Sequence, residues 1–102
     1  MRILSHRGLW NEQEEQNQLV AFERSIQMGF GVELDVRDHA GKLVVSHDPP
    51  MGNELTFDEF LIRFDRVDIT DGLKLAINIK ADGLARELCK SLNKVRHIDY
   101  FV

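Results

Sequence analysis

Disulfides, membrane spans, internal repeats and a basic footprint are all missing from this sequence. Cys89 is its single cysteine, so no disulfide within the chain holds the fold together. The place of Cys89 in an apolar helical pattern predicts that it packs in the core. No apolar run approaches the ~18 residues needed to span a bilayer. Residues 1–6 are too few and too polar for a signal peptide, which makes the cytoplasm the expected compartment. The 13 Lys and Arg are scattered and outnumbered by 17 Asp and Glu, for a net charge of −4. That balance argues against nucleic-acid binding through a basic surface. What remains, 43% hydrophobic and 29% charged over 102 residues, is the composition of one folded globular domain.

Hydrophobic periodicity lays out the elements. Residues 2–6 read as a strand closed by Arg7-Gly8, and the polar residues 9–16 as a loop. Leu19, Phe22 and Ile26 recur at helical spacing, with Gly29 as the stop. Residues 31–37 alternate strictly, with Val32, Leu34 and Val36 on one face and Glu33, Asp35 and Arg37 on the other. Leu43 to His47 form a second strand too close for a parallel crossover, so an antiparallel hairpin is expected. A three-residue turn, His39-Ala40-Gly41, would pair Asp38 with Lys42 and set Glu33 opposite His47, unless a bulge shifts the register by one.

Further on, Thr56 to Glu59 form a capping box opening a helix that buries Phe57, Phe60, Leu61 and Phe64. Residues 73–80 alternate again, with Ala76, Asn78 and Lys80 on the face opposite the apolar side chains. Leu84, Leu88, Leu92 and Val95 mark a third helix, and residues 99–102 start a strand. This order predicts an α/β fold with a mainly parallel sheet. Ending on an uncovered apolar strand suggests part of a larger barrel, since eight strands need about 250 residues. A self-contained flavodoxin-like open sheet is the alternative.

Glu33 and Asp35 are the most informative pair. Two like charges about 6–7 Å apart on one strand are unfavourable when buried, unless a hard divalent cation or a basic partner such as Arg37 compensates. His6 and His47 are candidates for general acid and base. Arg7 can clamp a phosphate oxygen in bidentate fashion, and Gly8 allows close approach of backbone to a ligand. Singly, a histidine at such a position is more often a surface or capping residue. His39, in the expected turn, and His97, in a polar connector, are assigned to solvent.

His6-Arg7-Gly8, residues 17–22, Glu33-Leu34-Asp35-Val36 and residues 43–48 together resemble the glycerophosphodiester phosphodiesterases in order and spacing. Thr56-Phe57 and residues 77–80 extend the likeness over nearly the whole chain. The resemblance implies a TIM barrel of the phospholipase-C-like phosphodiesterase type, active in lipid metabolism. On that likeness His6 and His47 are the acid/base pair, Glu33 and Asp35 ligate Mg²⁺ or Ca²⁺, and Arg7 and Lys80 contact the phosphate. It also implies a mechanism in which a substrate hydroxyl attacks first and water then opens a cyclic phosphate. Two departures stand out. Asn78 occupies the position of a glutamate ligand, where its amide oxygen could still serve and Asp82 could substitute. Residues 15–18, Glu-Gln-Asn-Gln, replace a Pro-Glu-Asn-Thr segment.

The resulting expectation is that residues 1–102 are the N-terminal part of one phosphodiesterase barrel with no internal boundary. It would act on a small phosphodiester, with neither nucleic acid nor a membrane span involved, and a C-terminal half-barrel would be its partner. A non-catalytic phosphoryl-binding module, favoured by Asn78, and a small open-sheet regulatory domain are the other readings.

Overall fold

The computed structural model describes residues 3–65, 73–81, 83–95 and 98–102. Among the described residues, five strands and three helices follow the expected order. They are β1 (Leu4–His6), α1 (Leu19–Gln27), β2 (Gly31–His39), β3 (Lys42–Val45), α2 (Phe57–Phe64), β4 (Lys74–Ile79), α3 (Ala85–Leu92) and β5 (Asp99–Phe101), with a 3-10 turn at Gln13–Glu15. Among the described residues no helix is long and apolar enough to cross a membrane. Asp82 and His97 lie outside the described residues.

The fold is mixed α/β around a mainly parallel sheet. Its parallel strands run β1-β2-β4-β5. β1 pairs with β2 at Gly31–Glu33 and the antiparallel β3 pairs with it at Val36–His39, while β4 runs along Val32–Val36. β1 and β3 therefore share one edge of β2. Parallel strands that are sequential neighbours distinguish this sheet from the flavodoxin-like alternative, in which the strand order reverses.

The three described α-helices pack on one face. Val32, Leu34, Val36, Leu75 and Ile77 meet Phe22 and Ile26 of α1, Phe57, Phe60, Leu61 and Phe64 of α2, and Leu88 and Leu92 of α3. The Phe22 and Phe60 rings meet edge to face at 4.9 Å. Strand alternation then turns Glu33, Asp35, Arg37, Ala76 and Asn78 to the other face, which carries no helix among the described residues. Caps set where the helices start and stop. Gly29 N–H donates to Ile26 O and Phe30 N–H to Ser25 O, both at 2.9 Å, closing α1 with a Schellman pair. Thr56 Oγ accepts the Glu59 N–H at 3.1 Å, as the sequence indicates for α2.

Two expectations are corrected. The hairpin turn has two residues, Ala40 (φ 51°) and Gly41 (φ 81°), and His39 pairs with Lys42. Positive φ at both central residues gives the turn a twist that matches the strands. The register therefore moves by one, and Asp35 rather than Glu33 lines up with this strand's end, its carbonyl accepting the Ser46 N–H at 3.0 Å. Cys89 is exposed rather than buried. It sits one helical step of ~100° past Leu88, off the Leu84–Leu88–Leu92 stripe. The N-cap of α3 falls on Leu84, which makes no side-chain cap.

Candidate functional site

Parallel pairing sets the site's first row. His6 lies beside Glu33, and Glu33 beside Ala76, while in the next row Asp35 lies beside Asn78. All of these side chains leave the same face of the sheet. His6 Nε2 is 3.5 Å from Glu33 Oε1, with the imidazole more exposed than the carboxylate. Trp10 Nε1 donates to His6 O at 3.1 Å and so ties the end of β1 to the loop after it.

That loop is held by backbone geometry. Arg7 N–H donates to Glu33 O at 2.8 Å, and Arg7 O accepts the Asn17 N–H at 2.9 Å. Arg7 and Asn17 both have positive φ, 59° and 60°. Gly8 is required by packing as well as by its φ of 87°: a Cβ there would lie 2.7 Å from Ala21 Cβ. The guanidinium of Arg7 is steered inward, with Nη1 donating to Gln16 Oε1 at 3.1 Å.

Asp35 is the centre of the arrangement. It is fully buried, and two basic side chains and an amide surround it. Asn17 Nδ2 donates to Oδ2 at 2.9 Å. Arg7 Nε is 3.1 Å from the same oxygen but is not aimed along a hydrogen bond. Lys80 Nζ is 3.9 Å from Oδ1. Asp35 Oδ1 and Glu33 Oε1 are buried without any hydrogen-bond donor, a deficit worth about 1–3 kcal/mol apiece.

The structure thus gathers His6, Arg7, Glu33, Asp35, Asn78 and Lys80 along one face. His47 is placed differently. It joins Arg7 in the wall of an adjoining cleft of about 470 Å³, and its Nδ1 is 2.9 Å from Asp48 Oδ1. Arg37, a possible partner for the acidic pair on sequence grounds, instead donates from Nε to His47 O at 2.8 Å. It thereby anchors the segment carrying His47. The carboxylate of Glu54 closes the far wall by accepting the Met51 and Gly52 N–H groups, and those donors hold its pKa below the usual carboxylate range. A larger groove of about 700 Å³ between the hairpin tip, α2 and α3 shares no residue with this cleft.

With that geometry in place the comparison with known proteins can be read. No family model matches the sequence, and no curated protein does. A crystal structure does match: that of a presumptive glycerophosphodiester phosphodiesterase from Galdieria sulphuraria, with a TM-score of 0.75 over 97% of this chain. The two share a fold. Sequence identity is 18%, and the match takes in 55% of the other chain, so the protein spans about half the length of that neighbour. The solved structure carries the name of the same family whose motifs the sequence resembles.

Glu33 Oε1, Asp35 Oδ1 and the neighbouring Asn78 amide offer hard oxygen donors that fit a divalent cation. Among the described residues no three His, Cys, Asp or Glu are grouped to hold one. A cation here would complete its shell from water or phosphate, as Mg²⁺ commonly does. Sequence reasoning passed over Asn17 and Arg37 as site residues. Asparagine's tolerance of positive φ was the available signal for the first, and nothing local pointed to the second.

Proposed function

We propose that the chain is the N-terminal half of a (β/α)8 phosphodiesterase barrel that hydrolyses glycerophosphodiester-like or sugar-phosphate diesters with a divalent cation, Mg²⁺ or Ca²⁺. The observation that carries this reading is a sheet face, free of helices among the described residues, where two carboxylates, each with a buried oxygen lacking a hydrogen-bond donor, stand beside Arg7, Lys80 and His6. Glu33, Asp35 and Asn78 would hold the cation, which supplies charge neutralisation at the phosphate. Arg7 and Lys80 bind the phosphate oxygens, and Asp35 keeps both cations in place.

His47 and His6 divide the proton transfers. Asp48 on His47 Nδ1 leaves Nε2 as the working nitrogen. One histidine takes the proton from the attacking substrate hydroxyl, and the other gives a proton to the departing alcohol oxygen. Water then opens the cyclic phosphate with the roles reversed. The cleft beside Arg7 suits a hydroxyl-rich alcohol, because Gln13, Gln16, Asn17, Gln18 and Asn53 line it with carboxamides. Val45 is its one apolar wall residue, too little surface for an acyl chain.

A second reading, a phosphoryl-binding module without turnover, is favoured by Asn78 beside Asp35, since an amide in place of a carboxylate weakens cation binding. Calorimetric titration with Mg²⁺ and Ca²⁺, alone and with glycerol phosphate, tests the proposal. Cation binding that is lost in Glu33→Gln and Asp35→Asn is expected. No heat from either cation at millimolar concentration sinks the metal-dependent enzyme. On this reading the remaining barrel strands complete the pocket, so the 102-residue chain alone should turn over a phosphodiester weakly or not at all. Enzyme-like turnover would show that no partner half is needed.

A further inference from the structure

We propose that Asn17 is a positioning residue that fixes the plane in which the Asp35 carboxylate is offered to a bound cation. The inference rests on the phosphodiesterase reading above. Asn17 is 4% exposed, unusual for an amide in a loop. Its Nδ2 donates to Asp35 Oδ2 at 2.9 Å, and its Oδ1 faces the Asp35 N–H at 3.4 Å. One side chain therefore grips both the carboxylate and the backbone of the same aspartate.

A carboxylate torsion is broad, so the plane of an unrestrained aspartate carboxylate swings widely. The Asn17 amide narrows that swing. With Oδ2 held, Oδ1 is the oxygen left free, on the side of Lys80. Arg7 cannot do this, because its Nε approaches Oδ2 without hydrogen-bond alignment. Asn17 also donates its N–H to Arg7 O at 2.9 Å. Asn17 thus links the loop whose guanidinium would meet phosphate to the carboxylate that would meet the cation.

The competing account makes Asn17 a turn residue chosen for its φ of 60°, which asparagine tolerates better than most. A turn alone requires neither burial nor a carboxylate partner. Glycine separates the two accounts, since it adopts that φ freely and has no amide.

The test uses the 102-residue chain, with Mn²⁺ as the probe, free ion followed by electron paramagnetic resonance well below each variant's melting point. Asn17→Gly, Asp35→Asn and the double variant form a cycle, with Asn17→Ser as a second substitution should glycine loosen the turn. Losing a partner that orients a ligand should weaken Mn²⁺ binding by roughly 10–100-fold. The double variant should bind no more weakly than Asp35→Asn, because Asn17 acts through that carboxylate. Wild-type affinity in Asn17→Gly, with Asp35→Asn defective, overturns the positioning role and leaves the site standing. Unchanged affinity in Asp35→Asn, or no Mn²⁺ binding by the wild type, removes the cation site and this inference with it.

Discussion

Gly8 shows how tightly single residues constrain the site. Its missing Cβ lets the loop after β1 lie against α1, where Leu9 N–H donates to Ala21 O at 2.9 Å. Gly8→Ala must push Ala21 aside and strain a φ of 87°. The expected cost is about 2–4 kcal/mol, read from urea unfolding. A change below about 1 kcal/mol would mean that the loop can move off the helix. At this scale the family likeness yielded His6, Arg7, Glu33, Asp35, His47, Asn78 and Lys80 as one group, and all but His47 lie along one sheet face. The partners of Asn17 and Arg37 escaped because they lie across space: Asn17 meets Asp35, and Arg37 meets the His47 carbonyl rather than the acidic pair. The same gap explains Cys89, whose apolar neighbours suggested burial although it faces solvent.

Among the elements, α1 and the 3-10 turn before it are joined by one ion pair. Arg24 Nη1 is 2.6 Å from Glu15 Oε1 and Nη2 is 3.2 Å from Oε2. The Arg24 guanidinium, helped by the Asn11 N–H, pulls the Glu15 pKa from 4.5 down to about 2. The folded pKa is the lower one, so the stability from this pair is complete above pH ~4.5 and is lost as pH falls through about 2. Glu15→Gln should therefore unfold at lower urea than the wild type at pH 6, with the gap narrowing steadily towards pH 2. A gap that stays constant would rule out this carboxylate as its source. Helices and strands were legible from periodicity, since burial of one face imposes it. Hairpin register was not, because Ala40 joins Gly41 at positive φ and a two-residue loop wins over a three-residue one.

Across the whole molecule, the two outer strands have little covering them. Ile3 and Leu4 at β1, and Tyr100, Phe101 and Val102 at β5, are 39–66% exposed. Short edges with apolar side chains invite pairing. The 102-residue chain should self-associate as concentration rises, and Tyr100→Lys with Phe101→Glu should shift it towards monomer in sedimentation velocity. Concentration-independent monomer for the unaltered chain would refute this. Sequence alone determined the alternation of elements, the apolar face of each and the acidic pair opposite it, because each follows from a local period and the need to bury carbon. Tertiary structure decided the rest: strands in chain order, helices on one face, and an asparagine eighteen residues away holding Asp35. Those outcomes depend on which surfaces meet, and such meetings are settled by packing over the whole chain.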